Sequence, residues 1–333
     1  TPIYSIQGSG PTVAIPGSVT TQGVVVGDYE GPSPALRGFY IQDLNGDNNP
    51  TTSDGIFVFE SNNANSVNLG DVVRVTGTAG ENQGQSQITS TSIINCGTGG
   101  VDPVDVTLPF ASADEPEQYE GMLVRLPQTL TVTEIYQLGR FDEVLLSANG
   151  RLAQPTNVTT PGAEALALQE QNNLNQILID DASQAQNPDP ILFGRGGLPL
   201  SASNTLRGGD TATGIVGMMT YTWGGNSASP NSYRVRPINA LNGYVNFEAS
   251  NPRPEDAPAL TGRLRVVGMN LLNFFNTFAD GNSLTPGCFP SGTDADCRGA
   301  ESQFEFDRQW PKTVAAITGT GADVIGVTEM END

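Results

Sequence analysis

The 333-residue chain contains no histidine. Imidazole is the commonest general base and zinc ligand, so its absence excludes Ser-His-Asp triads, His-ligated zinc and imidazole acid–base work by these residues. Cations are scarce too: 15 Lys and Arg stand against 36 Asp and Glu, the net charge is −21, and Lys312 is the single lysine. A generic basic footprint for nucleic acid is thereby excluded, and any polyanion has to be held through metal ions or a local arginine patch. No run approaches the roughly 20 apolar residues of a membrane-spanning helix. Charged residues make up only 15% of the chain, which is too few for a charge-swollen disordered polymer. Cysteine is limited to three residues. Cys288 and Cys297 bracket a short loop rich in Pro, Gly and Asp, a spacing that suits a local disulfide, because a soft-metal site would want more ligands nearby. Cys96 is left odd, either free and buried or partnered outside the chain. A loop disulfide, few lysines and an acidic surface together favour an exported protein.

What is abundant is glycine (39) and proline (23) among β-branched runs, the mark of a loop-rich β protein. Val19–Tyr29, Gly38–Asp43, Gly55–Glu60, Gly70–Gly80 and Ser86–Ile94 read as five strands with turn residues between them, the spacing of a small OB-like barrel within residues 1–108. A weaker echo occupies 109–248: Glu120–Tyr136, Asp142–Gly150, Asn175–Asp181, Gly208–Gly225 and Ser232–Ile238 repeat the order of elements, with Gly-Asp opening a strand at Gly70-Asp71 and again at Gly209-Asp210. This is either a duplicated barrel or part of one large irregular β domain. Pro161–Asn175 is the plausible helix of this region. Residues 249–262 carry three prolines and read as a linker. From 263 to 333 the grammar changes to strand (Arg263–Phe275), helix (Ser302–Gly319) and a nearly continuous apolar strand (Ala322–Met330). That order opens a two-faced α/β sheet. Ser302 and Glu305 have capping-box spacing, while Pro311 is expected to kink the helix or make it start late. Two strands cannot close a core, so the expectation is a protein cut off early in its second domain.

Asn270 and Glu329 fall at the carboxyl ends of the two α/β strands, the rim where ligands of open α/β sheets gather. An amide oxygen and a carboxylate there are hard ligands suited to Mg²⁺ or Mn²⁺. Set against that, Asn after a strand is commonly a turn residue and Glu at a strand end is commonly solvated. The segments LRVVGMNLLNFF, RQWPKTVAAITGTG and ADVIGVTEMEND resemble the opening of the endonuclease/exonuclease/phosphatase superfamily, the DNase I-like metal-dependent nucleases. With VTTQGVVVGDY, GFYIQDLNGDNNPTTSDGIFVF and GDVVRVTGTAGENQGQSQI before them, the layout is similar to bacterial extracellular endonucleases that place an OB-fold module ahead of the catalytic domain. The resemblance implies a DNase I-like α/β sandwich, represented here by its beginning, and a secreted enzyme hydrolysing extracellular DNA, with RNA as a further substrate. It also implies that Asn270 and Glu329 hold one Mg²⁺ or Mn²⁺ that polarises a phosphodiester. Glu331 is the neighbour that could be mistaken for Glu329. The family's later Asp, Asn and His residues have no counterpart in this chain, so the fragment alone is expected to be inactive.

Asp43, Asn45, Asp47 and Asp54 have EF-hand-like spacing, which suits Ca²⁺. The sixth position, however, is Asn48 rather than Gly, the twelfth is Asp, and strands flank the loop where an EF-hand has helices. A polar hairpin is the plain alternative. For nucleic acid, OB-like barrels use aromatic rings in a cationic groove, and the candidates are Arg37, Tyr40, Arg74, Arg234 and Arg236, with Phe39, Phe57, Phe59 and Tyr233 beside them. Alternation along strands assigns most of these rings to packing. The chain is expected to be a monomer. Against the nuclease reading stand a non-catalytic, Ca²⁺-stabilised binding or surface module, and a phosphatase or other phosphodiesterase of the same superfamily.

Overall fold

The computed structural model describes residues 1–62, 64–254, 259–278 and 298–331. Two compact units divide between Pro252 and Arg253, inside the proline-rich segment. The chain is mainly β. Its strands are β1 (Gly17–Tyr29), β2 (Gly38–Gln42), β3 (Gly55–Phe59), β4 (Asp71–Asn82), β5 (Gln85–Thr98), β6 (Val104–Asp105), β7 (Leu123–Glu134), β8 (Val144–Ala148), β9 (Gln176–Ile179), β10 (Thr211–Thr222), β11 (Ser232–Arg236), β12 (Val266–Phe274) and β13 (Val324–Met330). Helices are α1 (Ile3–Gln7), α2 (Leu138–Phe141), α3 (Pro155–Val158), α4 (Ala163–Leu174) and α5 (Gln303–Gly319). Among the described residues no helix is long and apolar enough to cross a membrane.

The first unit contains a closed barrel in the order β1-β2-β3-β5-β4, with β3 and β5 parallel and the other pairs antiparallel. A second sheet has the order β10-β11-β9-β8-β7-β6, and β10 also pairs with β7. That extra pairing makes β7-β8-β9-β11-β10 a ring with the same order, and its parallel pair, β9 with β11, sits in the equivalent place. β6 adds to β7 in parallel, so the boundary expected at 108/109 falls earlier, ahead of Val104. In sequence terms each ring is a meander of three strands followed by a hairpin that returns to both its ends.

Burial along β1 shows how the rings meet. Ser18 to Gln22 alternate exposed and buried, as a strand with one solvated face must; from Gly23 to Gly27 every residue is buried. The inner set of Val25, Phe39, Ile41, Ile56 and Val58 fills the first barrel. The outer set of Val24, Val26, Tyr40 and Phe57 packs with Leu123 and Met218 of the second sheet. Strands covered on both faces carry unbroken apolar runs, which is why GVVVG and GFYIQ read as they do. Burying Val24, Val26 and Phe57 is worth about 1.5–3 kcal/mol each relative to leaving them in water. Contact between the rings is close enough to require glycine: a Cβ on Gly55 would lie 2.1 Å from the Gly121 carbonyl oxygen, and one on Gly27 would lie 2.6 Å from the Met218 Cγ.

In the second unit β12 and β13 pair in parallel, from Val266 opposite Val324 to Asn270 opposite Thr328. The crossover between them carries α5. Ser302 caps that helix by accepting from the Glu305 N–H at 3.3 Å. The helix begins at Gln303, so Pro311 does not delay its start and lies inside it. Phe306 packs on Phe274, with ring centroids 5.3 Å apart. This is one strand–helix–strand unit; an α/β sandwich is not formed among the described residues. Cys288 and Cys297, the candidate disulfide, lie outside the described residues. Cys96 is free and exposed rather than buried.

Candidate functional site

The parallel register of β12 and β13 brings Asn270 and Glu329 together. The Asn270 Nδ2 donates to Glu329 Oε1 at 2.8 Å, and the Asn273 N–H donates to Oε2 at 3.1 Å. The Asn270 Oδ1 accepts from the Leu272 N–H at 2.7 Å. Both side chains are exposed at the carboxyl end of the pair. The backbone here is unusual: Leu272, Asn273 and Glu329 have φ of 55°, 54° and 56°, and the ladder shifts register between Asn270 and Phe274. Left-handed φ at a Leu and a Glu costs on the order of 1 kcal/mol each and concentrates at functional sites. Glu331 has a different job. Its carboxylate accepts from the Asn276 and Thr277 N–H groups at 2.7 and 2.9 Å and from the Thr277 hydroxyl, fixing the segment that follows β12.

Each oxygen of Glu329 accepts one of these bonds and keeps a second lone pair. An exposed carboxylate beside an amide, with room for water, is the partial oxygen shell that Mg²⁺ accepts. The Glu329 carboxylate supplies the hard oxygens of this pair, whereas the Asn270 amide meets it with its nitrogen and its oxygen is engaged by the Leu272 N–H.

The Asp43–Asp54 segment is the β2–β3 hairpin loop, closed by the Asp43 N–H donating to the Asp54 carbonyl at 2.9 Å. Asp43 Oδ2 accepts from the Ile3 N–H at 3.2 Å, and Asp47 Oδ1 accepts from the Asn49 N–H at 2.8 Å. Asn45 is exposed. Asp54 lies under Gly46, where a Cβ would come within 2.2 Å of its Oδ2. Burial, and then the nearby Asp47, push the Asp54 carboxyl above its ordinary range. Two of the expected oxygen ligands therefore serve as backbone caps, and among the described residues no three acidic or Cys side chains converge as a metal-holding group.

The expected nucleic-acid contacts separate into two kinds. Arg234 and Arg236 are fully buried, so they present no charge to a ligand; alternation along β11 aims Val235 into the second core and both arginines away from it. Arg234 is held by Glu143 and, at 2.5 Å, by Asp180, which also binds Arg236 at 3.0 Å. Tyr40 is buried between the rings, its hydroxyl 2.9 Å from the Thr220 Oγ1, and is not available for stacking on a base. Arg74 is exposed and its Nη2 reaches the Gln22 Oε1 at 3.4 Å. Arg37 is half-buried, 5.1 Å over the Phe59 ring, and Nη2 donates to the Ser61 carbonyl at 2.8 Å. Arg37 and Arg74 line separate cavities.

The Arg37 cavity includes Trp223, Gln184 and a row of hairpin amides that the sequence reading passed over. Its parts come from both barrels and are far apart in the chain, so the single available signal was a tryptophan in the turn-rich segment TYTWGG. No family model and no curated protein matches the chain.

Proposed function

We propose that the chain belongs to a secreted, divalent-metal-dependent phosphodiesterase acting on extracellular DNA, in which two OB-type barrels precede the opening of a DNase I-like domain. One observation carries this reading: Asn270 and Glu329 are hydrogen-bonded at 2.8 Å at the carboxyl ends of adjacent parallel strands, with Glu329 held at a left-handed φ. A Mg²⁺ or Mn²⁺ ion bound there would supply Lewis-acid polarisation of a phosphodiester and a more acidic water. The chain's own part is positional. Asn270 and the Asn273 N–H orient the carboxylate, and the strained turn keeps it pointed off the sheet edge. RNA and other phosphodiesters are tested beside DNA, because the substrate-selecting groups are not among the residues assigned here.

The test is hydrolysis of a DNA duplex by the full-length gene product with Mg²⁺ or Mn²⁺. Chelation is expected to stop turnover, and Glu329→Gln, which keeps one of the two hydrogen bonds but loses the charge, is expected to lower activity by about 10–100-fold. Glu331→Gln is expected to act through stability alone. Turnover unchanged by Glu329→Gln would sink the assignment.

Ca²⁺ at the Asp43–Asp54 loop is a second, structural proposal. Asp54 is crowded by Asp47 and Asp43, and a cation there would relieve that repulsion.

A further inference from the structure

Where the two barrels meet lies a cavity of about 270 Å³ whose lining differs from the rest of this acidic molecule. Arg37 enters from the β1–β2 loop, Phe57 and Phe59 from β3, Asn82 and Gln83 from the β4–β5 hairpin, and Gln184 and Trp223 from the second barrel. No Asp or Glu lines it, whereas four other cavities each hold at least one carboxylate. Among 36 acidic residues, that exclusion argues against a cationic ligand.

Both rims are tied across the barrels. The Asn231 Nδ2 donates to the Gln83 carbonyl at 2.5 Å, and the Gln184 N–H donates to the Pro34 carbonyl at 2.8 Å beside a bridge between Ala35 and Ser183. The walls are thus fixed before a ligand arrives, which lowers the ordering cost of binding. The side chains of Asn82, Gln83 and Gln184 make no hydrogen bond among the described residues, so each offers a free donor and a free acceptor. Gln83 (φ 56°) and Gly84 (φ 80°) form the two-residue hairpin turn. That turn places the Gln83 side chain at the tip of the hairpin, among the residues lining the cavity.

The one cation is partly committed: Arg37 lies on Phe59 and its Nη2 donates to Ser61, while its Nε is buried without a partner among the described residues and can serve a hydroxyl oxygen as well as an anion. A polyanion would approach against a net charge of −21, a penalty that an uncharged ligand escapes. A pyranose ring has an apolar C–H face that packs on an aromatic ring and a rim of hydroxyls, each donor and acceptor, that match primary amides. We infer that this inter-barrel cavity binds one unit of a neutral saccharide chain, with Trp223 as the platform and the amides of Asn82, Gln83 and Gln184 as hydroxyl partners. This goes beyond the phosphodiesterase reading and does not depend on it.

The protein has two tryptophans, Trp223 and Trp310. In the Trp310→Phe variant, Trp223 fluorescence reports the cavity alone. The probes are cellohexaose, chitohexaose, maltohexaose and a thymidine hexanucleotide, all with chelator present so that hydrolysis plays no part. At least one of the three sugars is expected to shift the emission saturably, with a midpoint that does not move between about 50 and about 500 mM salt. Gln184→Ala should weaken that binding by about 3–10-fold, and Trp223→Ala, followed by calorimetry, by at least about 10-fold. If Trp223→Ala fails to fold, the rim variant Gln184→Ala decides. Silence with all three sugars overturns the inference. So does a response to the hexanucleotide alone that collapses with salt, which would make the cavity a nucleic-acid groove.

Discussion

The two units solve the same problem in opposite ways. In Thr1–Pro252, ring closure pairs strand edges and the outer faces cover one another, so both arginines of β11 are buried with carboxylate partners. In Arg253–Asp333, β12 and β13 stand as a pair. Val266 is 65% exposed, Val324 52% and Leu272 74%, and α5 has no buried residue. The first arrangement spends its polar groups on internal order. The second leaves the hydrogen-bonded Asn270 and Glu329 exposed to solvent.

Matched substitutions in the two units break or sharpen this contrast. Arg234→Ala leaves Glu143 buried without its cation and Asp180 with Arg236 alone, and urea unfolding should show the first unit destabilised by about 3–5 kcal/mol. Arg265→Ala, which removes exposed bonds from the guanidinium to the Thr320 and Gly321 carbonyls, should stay within about 0.5 kcal/mol. Equal effects would end the comparison. Next in size is Gly55→Ala, whose methyl group would meet the Gly121 backbone and should cost about 1–3 kcal/mol. Its counterpart Gly326→Ala, with nothing within 4 Å of the new carbon, should be neutral or slightly stabilising.

pH gives a third separation. Burial first, and then neighbouring acids, raise three carboxyls of the first unit: Asp142 to about 6, Glu60 to about 7 and Asp181 to about 8. Folded-state values above the unfolded ones mean that the folded form holds protons that the unfolded chain has released. That stability is complete below about pH 4 and is lost as pH rises through 6 to 8. The melting temperature of the first unit should fall by roughly 5 °C between about pH 5 and pH 9, and a rise over that range would refute the assignment. The smallest expected effect is Ca²⁺ at the β2–β3 loop: about 10 mM should raise the melting temperature by ~1–3 °C, and Asp54→Asn should remove the rise. No shift would leave the loop an ordinary hairpin.

What could be read from sequence follows from the range of the interactions. β1 to β5 were legible because β-branched runs bounded by Gly, Asn and Asp announce strands locally. The Ser302 and Glu305 pair marked the start of α5 for the same reason. Asn270 and Glu329 could be placed at strand ends, but their contact depends on the parallel register of strands 59 positions apart. Arg234 and Arg236 were misjudged because SYRVR alternates just as a half-solvated strand does. Arg234 is paired with Glu143 and Asp180, 91 and 54 positions away, and Arg236 shares Asp180. The inter-barrel cavity is assembled from five segments of two barrels, so no local pattern could announce it.

The outer apolar face of the first barrel has a consequence in time. Its strands are complete at Thr98, yet Leu123 and Met218, which cover Val24, Val26 and Phe57, come later, and the Tyr29 hydroxyl waits for the Arg236 carbonyl 207 residues on. At a synthesis rate of about 5–20 residues per second, the roughly 140 residues from Thr98 to Arg236 take about 7–30 s to appear. For that interval a finished barrel carries a bare apolar patch. A growing chain of this protein therefore exposes that patch until its second barrel is made.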